Sequence, residues 1–215
     1  MAKKDRHFRS RNFDFAAPFY DLSMWFAGLF FGGELRFREA IIKEAAPLKG
    51  MAALEIFSGT ATVSLMAAKE GASVTALDIS KGMLRVAGEK ARKQKISIER
   101  VRGDSVSLPF HDGTFDRVFA SFGLHEIPVP MAAATIKESQ RVLKKGGRLV
   151  ILDFHRASGM AGFLQNLLFL FVEGKEARAW TSTDIQGLLR KTGFRGFNRT
   201  FLLKGALQLI SVYKH

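Results

Sequence analysis

The sequence predicts an α/β fold: a Rossmann-like, doubly wound and mostly parallel seven-stranded sheet, with an antiparallel C-terminal hairpin strand and helices on both faces. From Met51 to Phe154, short apolar runs alternate with longer segments of helical periodicity, which is the pattern of βαβ units. From Phe194 to the C terminus, two strand-like runs lie so close together that they indicate an antiparallel hairpin.

The elements of the first part follow in a regular order. MAALEIF is predicted as a strand and TATVSLMAAKE, after a Ser-Gly-Thr turn, as a helix. SVTALDI is the second strand and KGMLRVAGEKARKQ the second helix. ISIERVRG and FDRVFASF are the third and fourth strands. MAAATIKESQRVLKK is predicted as a helix closed by Gly146 and Gly147, and GRLVILDF as the fifth strand.

Beyond Ala157 the pattern changes. An uncharged run, SGMAGFLQNLLFLFV, precedes a helix near Thr183 to Lys191 and the two C-terminal strands, which join at Lys204-Gly205. No linker-like stretch divides the 215 residues, and their 47% apolar content is enough for one core. We therefore expect one domain over residues 1–215, with an N-terminal segment (1–45), a core (46–156), an apolar insertion and helix (157–192) and C-terminal strands (193–215).

Composition limits the chemistry and the partners. Without cysteine, the chain has no disulfides, thiolate metal sites or cysteine nucleophile; it is compatible with a reducing cytoplasm, and we expect no metal site. A formal charge of +13 attracts polyanions, either nucleic acid or the anionic face of a membrane. The stretch LSMWFAGLFF is shorter than the about 20 apolar residues that span a bilayer, so we expect a retained surface segment.

The turn after the first strand, ALEIFSGTA, is typical of a ligand-binding strand–turn–helix. Gly59 can adopt a backbone conformation closed to other residues, and Thr60 and Ala61 begin a helix whose free N–H groups attract an anion. Asp78 ends the next strand, nineteen positions after Gly59. A carboxylate at this spacing can accept hydrogen bonds from both hydroxyl groups of a ribose. The pair predicts a nucleoside-containing cofactor. The alternative is an ordinary turn, with Asp78 as the cap of the following helix.

Four segments in chain order carry a family resemblance: ALEIFSGTA, ALDISKGML, VRGDSVSLPFHDGTFDRV and ESQRVLKKGGRLVILDF. They resemble the class I S-adenosylmethionine-dependent methyltransferases, and within them the type 11 group that includes the ubiquinone and menaquinone biosynthesis C-methyltransferases. The resemblance covers Phe15 to the C terminus. It implies S-adenosyl-L-methionine as the cofactor, and a lid formed by the N-terminal segment and the apolar insertion.

The resemblance also implies which residues contact the cofactor. The methionine part of the cofactor would be surrounded by the first turn, with Glu55, Phe57, Ser58, Gly59, Thr60 and Ala61. The ribose would be held by Asp78, and the adenine would pack against Ile79 and Met83 and be recognised at its edge by Asp104 and Ser105. The floor below the sulfonium would be lined by Ser121 and Phe122.

Three residues are catalytic candidates. Tyr20 matches a Tyr-Asp pair that, in this group, closes over cofactor and substrate. His125, on the loop after the fourth strand, is the first candidate for a general base because the reference pKa of histidine, near 6.5, lets it accept a proton at neutral pH. The alternative is that it fixes the loop or lies beside the cofactor. Glu126 is the second candidate for a base. Asp153 and His155 are expected at the same carboxyl edge of the sheet.

The chain departs from the family pattern at the glycine turn. The family has glycine at the positions of Phe57 and Ala61 and often cysteine at Ser58. If position 57 requires a positive φ, phenylalanine there costs about 1 to 2 kcal/mol. Ala61 adds a methyl group where helix and strand pack closely. These two residues are the reason to ask whether the cofactor still binds.

The acceptor is indicated by two apolar segments at the places where this family builds its lid, FAAPFYDLSMWFAGLFF and SGMAGFLQNLLFLFV. Beside a basic N-terminal head, they favour methyl transfer to a lipophilic small molecule, a quinone precursor or a phospholipid amine, taken at a membrane surface. The alternative is that they pack on each other or form a homodimer contact. The charge keeps an RNA methyltransferase open, although nucleic acid is the less favoured partner, and the lost glycines keep open a non-enzymatic protein that binds a lipid or a partner.

Overall fold

The computed structural model describes residues 34–159 and 174–215, together with Asp14, Ala17, Gly162 and Gln165. One seven-stranded sheet has the order β3-β2-β1-β4-β5-β7-β6. Its strands are β1 (Ala52–Ile56), β2 (Ser73–Asp78), β3 (Glu99–Arg102), β4 (Phe115–Ser121), β5 (Leu143–Phe154), β6 (Phe194–Leu202) and β7 (Leu207–Lys214). β1 to β5 pair in parallel, and β7 lies antiparallel between β5 and β6. This confirms the predicted sheet and C-terminal hairpin.

Helices cover both faces of the sheet. They are α1 (Glu34–Ala45), α2 (Thr62–Lys69), α3 (Lys81–Gln94), α4 (Val129–Val142), α5 (Gly174–Thr181) and α6 (Ile185–Lys191). Because successive strand residues point to opposite faces, neighbours such as Ala53 and Leu54 enter different cores. Ala53 packs in a cluster with residues of α1 and α2, whereas Leu54 packs with residues of α4, α5 and α6.

The boundary between α4 and β5 differs from the prediction. The sequence predicts a helix to Lys145 that Gly146 and Gly147 close, but the helix ends at Val142 and β5 begins at Leu143. Leu143 is buried and pairs with Phe115, and the register then shifts before the strands pair again. Gly146 has φ +73°, so the glycines form an irregularity within the strand instead of a helix end.

α5 is absent from the prediction, whereas α6 falls within the predicted helix. Only Ala177 and Trp180 of α5 are buried, so its apolar periodicity is too short to be recognised beside the charged residues around it.

The parallel strands place their carboxyl ends at one edge of the sheet. Because β7 runs antiparallel to β5, with Leu207 opposite Phe154, the tip of the β6–β7 hairpin lies at this edge too. In open α/β sheets this edge is where ligands bind. The predicted site residues that the structure describes therefore gather on one side of the molecule.

Candidate functional site

The turn between β1 and α2 is left-handed at three positions. Phe57, Gly59 and Ala61 have φ of 55°, 50° and 61°. Both positions where the family has glycine thus keep the backbone conformation that favours glycine, although a side chain occupies each of them. A Cβ atom on Gly59 would meet no atom of the described residues within 4 Å, so this side of the turn leaves room for a ligand.

The Phe57 ring lies against the loop after β4. It packs on the core cluster that includes Ile56, Leu77 and Leu124, and a Cβ atom on Gly123 would overlap the ring. Gly123 has φ −129°, a conformation open to any residue. Gly123 is therefore required by the ring and not by its own backbone.

Asp78 connects the ends of β1 and β2. Its Oδ2 accepts a hydrogen bond from the Gly59 N–H at 2.8 Å, and its Oδ1 accepts one from the Ser80 N–H, also at 2.8 Å. Burial raises the pKa of Asp78, while these backbone hydrogen bonds act to lower it. The Ile79 backbone also contributes a hydrogen bond, and a carboxylate has about four lone-pair sites, so Asp78 can still accept a hydrogen bond from a ligand. The geometry suits a ligand that carries a hydroxyl group.

Asp14 joins the N-terminal segment to the start of α3. Its Oδ1 accepts hydrogen bonds from the Ser80 hydroxyl at 2.6 Å and the Gly82 N–H at 2.7 Å. Burial acts to raise the pKa of Asp14, but these hydrogen bonds and the charges of Arg102 and Lys81 lower it overall. This contact, two residues beyond Asp78, has no local sequence signal because it joins positions 66 and 68 residues apart.

Glu55 is buried at the end of β1. Its Oε2 accepts hydrogen bonds from the Ser64 N–H at 2.8 Å and the Ser64 hydroxyl at 2.5 Å, in the first turns of α2. Burial raises the pKa of Glu55 to about 7, against the opposing effects of Ser64 and the charge of Arg38. The structure thus turns this predicted cofactor-binding carboxylate toward α2.

The remaining adenine-side residues follow β2 and β3. Ile79 is half-buried and accepts a hydrogen bond from Arg102 through its carbonyl oxygen, and Met83 is buried in the first turn of α3. Asp104 accepts a hydrogen bond from the Val106 N–H at 3.2 Å. The Ser105 hydroxyl lies 2.9 Å from the Thr135 hydroxyl.

Two buried hydroxyl groups lie at the ends of β1 and β4. Neither Ser58 Oγ nor Ser121 Oγ has a hydrogen-bond partner among the residues that the structure describes. An unsatisfied buried hydroxyl costs about 1–3 kcal/mol. Thr60 differs, since its hydroxyl accepts a hydrogen bond from Lys90 Nζ at 3.0 Å. Phe122 follows Ser121 with φ +53° and lies edge-on to Phe154, 6.0 Å between ring centroids.

His125 and Asp153 form a buried pair between the loop after β4 and the end of β5. His125 Nδ1 lies 2.6 Å from Asp153 Oδ1, and the other carboxylate oxygen accepts the Leu124 N–H at 3.1 Å. Glu126 is half-buried beside them. The sequence places Asp153 at this mouth but does not reveal that it holds His125, because 28 residues separate the two. Tyr20 lies outside the described residues.

These groups fit S-adenosylmethionine. Asp78 offers a carboxylate to ribose hydroxyls. Among the described residues, the Ser58 and Ser121 hydroxyls have no partner and Gly59 leaves space for close approach.

Comparison with known proteins identifies related methyltransferases. Residues 53–147 match the family model of a methyltransferase domain. The demethylmenaquinone methyltransferase of Thermobifida fusca is 35% identical over 207 residues, which are 87% of this chain and 85% of that protein. The protein of the same name from Renibacterium salmoninarum is 37% identical over 142 residues, 66% of this chain but only 56% of that protein.

The fold also matches solved structures. The magnesium protoporphyrin IX methyltransferase of Synechocystis, solved with bound S-adenosylhomocysteine, superposes with a TM-score of 0.68 at 21% identity and covers 84% of this chain and 83% of that one. Because of the family match and the identity to the Thermobifida enzyme, the chain belongs to the class I S-adenosylmethionine-dependent methyltransferases and is similar to those of quinone biosynthesis.

Proposed function

We propose that the protein transfers a methyl group from S-adenosylmethionine to a lipophilic small molecule, a quinone precursor or a phospholipid amine. The observation that carries the proposal is the Asp78 carboxylate, which the N–H groups of Gly59 and Ser80 hold at the binding edge of the sheet. Bound S-adenosylmethionine supplies a methyl group activated by a positively charged sulfur. Asp78 would bind the ribose, and Ser58 and Ser121 would contact polar atoms of the cofactor.

In this proposal His125 takes up the proton that the acceptor loses. A carboxylate beside Nδ1 favours the tautomer with the proton on Nδ1, so Nε2 carries the lone pair that a general base needs. Asp153 acts as a positioning residue, since its 2.6 Å contact fixes the imidazole ring. Glu126 is the second candidate for the base. Tyr20 would close over the site, as the family resemblance implies.

The proposal of a lipophilic acceptor rests on the apolar N-terminal segment and insertion, and on relatives named as demethylmenaquinone methyltransferases. We place the protein at the cytoplasmic face of a membrane, which its charge of +13 would favour. Within the described part of the chain, every helix is too short or too polar to cross a bilayer. A homodimer through the apolar segments is the competing arrangement, and the mass in solution distinguishes the two.

Cofactor binding is tested by thermal unfolding with S-adenosylmethionine and S-adenosylhomocysteine. At about 100 times its dissociation constant, a ligand stabilises the fold by about 2.7 kcal/mol and raises the melting temperature by several degrees. Asp78→Ala should abolish most of that increase. Asp112→Ala is the matched control, since this exposed carboxylate pairs with Arg141 before β4. Absence of any increase for the unaltered protein would leave the non-enzymatic alternative.

The acceptor is identified with methyl-labelled cofactor and a membrane lipid extract, followed by the mass of the labelled product. Labelled lipid supports the proposal. Labelled RNA with unlabelled lipid would show an RNA methyltransferase instead, and RNA binding would then weaken steeply as salt is raised.

A further inference from the structure

The tip of the β6–β7 hairpin forms a cationic cleft beside the end of β5. The cleft has a volume of about 400 Å³. We name it the hairpin-tip surface and define it by the residues that line it: His155, Arg156, Ala157, Ser158, Phe201, Lys204 and Gly205. Arg156 and Lys204 are exposed, and no Asp or Glu is among these described residues. The surface therefore offers two separate cations to an anionic partner without an internal counterion.

The backbone at the tip of the hairpin is left-handed, a conformation that is unfavourable for residues with a side chain. Leu203, Lys204 and Gly205 follow one another with φ of 49°, 53° and 90°. Left-handed residues that are not glycine are found where the surrounding structure enforces them, often at functional positions. Here the hydrogen bonds of His155 enforce the turn, since its N–H donates to the Ala206 carbonyl oxygen and its Nδ1 lies 2.9 Å from the Gly205 carbonyl oxygen.

Phe201 adds an aromatic ring to the cations. It is the most exposed large hydrophobic side chain that the structure describes, with 52% of its surface accessible. Its ring lies 4.6 Å from the His155 ring, and the Arg199 guanidinium lies 5.8 Å from its centroid and 5.0 Å from that of Phe197. These contacts hold the ring at the surface and do not bury it.

We propose that the hairpin-tip surface docks on an anionic lipid membrane, with Arg156 and Lys204 at the lipid phosphates and Phe201 at the headgroup level. Cations near an anionic leaflet are attracted to it, and exposed Phe side chains beside basic residues insert at the boundary between headgroups and acyl chains. The surface lies at the same edge of the sheet as Asp78 and His125. Docking would thus bring the site to the lipid, and in that respect the inference rests on the proposed function.

The sequence beside the cleft agrees with this orientation. The uncharged run SGMAGFLQNLLFLFV starts at Ser158, inside the cleft. In the sequence, Arg156 therefore stands two residues before an apolar run, and basic residues beside apolar ones are typical of segments that bind a lipid interface. Another pair of exposed cations, Arg92 and Lys93 at the end of α3, lies toward the amino ends of the parallel strands and provides a matched control.

The test measures sedimentation of the full chain with vesicles of phosphatidylcholine alone or mixed with phosphatidylglycerol. We expect binding to the mixed vesicles, and binding about twenty-five-fold weaker for Arg156→Gln/Lys204→Gln, from about a fivefold loss per cation. The control, Arg92→Gln/Lys93→Gln, removes the same charge from α3 and should bind like the unaltered protein. The proposal would be overturned if both double variants bound the mixed vesicles as tightly as the unaltered protein, or if both lost affinity to the same extent.

Phe201→Trp reports on the ring itself. We expect its fluorescence to shift to shorter wavelength on mixed vesicles, beyond any change in the unaltered protein, whose Trp180 is buried. Two results would overturn membrane docking: the absence of an added shift, or the release of the protein from the mixed vesicles by inorganic phosphate as effectively as by competing vesicles of the same lipids. The second result would indicate a site for soluble anions.

Cofactor binding separates this inference from the proposed function. The double variant should keep the melting-temperature increase with S-adenosylhomocysteine, which also shows that it folds. Vesicle binding without any such increase in the unaltered protein would reject the methyltransferase activity and retain the docking surface. A cofactor response without hairpin-dependent vesicle binding would do the reverse.

Discussion

Phe57 combines an unfavourable backbone with a favourable side-chain environment. A left-handed conformation costs a residue with a side chain about 1 to 2 kcal/mol, and Phe57 has φ +55°. Burial of its ring against the core cluster offsets that cost, because apolar area removed from water contributes about 25 cal/mol per Å². The glycine that the family has at this position would relieve the strain but leave the space over Gly123 empty.

Phe57 and Gly123 should therefore be energetically coupled. We expect Gly123→Ala to lower the free energy of unfolding by about 1–3 kcal/mol, since the new methyl group displaces the ring. In Phe57→Gly/Gly123→Ala the ring is gone, so the methyl group should cost far less, with a coupling of about 1 kcal/mol or more. Denaturant unfolding of the four proteins of this cycle measures it, and strictly additive effects would contradict the contact.

At His125, substitution should affect chemistry and not cofactor binding. Asparagine can keep the hydrogen bond to Asp153 but cannot accept a proton, so we expect His125→Asn to slow methyl transfer about 10²–10⁴-fold. The melting-temperature increase with S-adenosylhomocysteine should remain. Glu126→Gln is the matched comparison on the same loop. If Glu126→Gln causes the larger loss, the roles of the two residues must be exchanged.

The first turn of α3 serves both the sheet edge and the N-terminal segment. Ser80 donates its N–H to Asp78 and its hydroxyl to Asp14, while its Oγ accepts the Met83 N–H at 3.1 Å. Asp14 also accepts the Gly82 N–H, as acidic groups do favourably at helix N-termini. Any group that binds Asp78 is thereby linked through one residue to the segment that carries Tyr20.

Two glycines of α3 allow this contact to be tested. A Cβ atom on Gly82 would lie 2.8 Å from Asp14 Cα and carbonyl oxygen, which are backbone atoms. On Gly88 it would meet the far end of the Arg100 side chain, which can move. We expect Gly82→Ala to cost about 1–3 kcal/mol of unfolding free energy and to weaken cofactor binding. Gly88→Ala should be near neutral, because the about 1 kcal/mol that alanine gains in a helix interior offsets the loss of the hydrogen bond from Arg100 to the Leu84 carbonyl oxygen.

Calorimetric unfolding with and without S-adenosylhomocysteine distinguishes these variants. Equal effects of the two substitutions would mean that Asp14 does not depend on the space at Gly82.

The elements that sequence predicts well are those whose periodicity is local. β1, β2, β4 and α3 fall within the predicted ranges because apolar spacing fixes each of them. The predicted start of β5 is wrong because the pairing of Leu143 with Phe115 prevails over the helical pattern, which continues to Lys145 in the sequence. α5 was missed because its two buried residues are too few to form a pattern.

The stability of the whole molecule should depend on the ionisation of Glu55. Burial raises the pKa of Glu55 from 4.5 to about 7, so the folded state binds a proton more tightly than the unfolded chain. Its contribution is fully present below pH 4.5 and is lost as pH rises through 7. The difference amounts to about 3 kcal/mol of unfolding free energy.

Glu55→Gln should remove this component of the pH dependence. We expect the variant to lose about 3 kcal/mol less than the unaltered protein between pH 4.5 and 8, because glutamine stays neutral while it accepts the Ser64 hydrogen bonds. Denaturant titrations at a series of pH values measure this. Glu89→Gln, at an exposed position of α3, is the control, and identical pH profiles for Glu55→Gln and the unaltered protein would contradict the expectation.

At the scale of the whole chain, sequence locates the candidate site but not its internal contacts. The spacing of Gly59 and Asp78 and the strand order bring the predicted residues to one edge of the sheet. What local pattern cannot give is which side chains meet across that edge. The contacts of His125 with Asp153 and of Ser80 with Asp14 join positions 28 and 66 residues apart, and only the assembled sheet determines them.

The contact between Phe57 and Gly123 also constrains the order in which mutations can accumulate. Phenylalanine can enter position 57 only while position 123 lacks a side chain, because its Cβ would overlap the ring. Once the ring is in place, every substitution at Gly123 is obstructed, although the backbone there would accept any residue. A smaller residue at position 57 would remove that obstruction. The side chain at each of the two positions therefore limits the size of the residue that the other can accept.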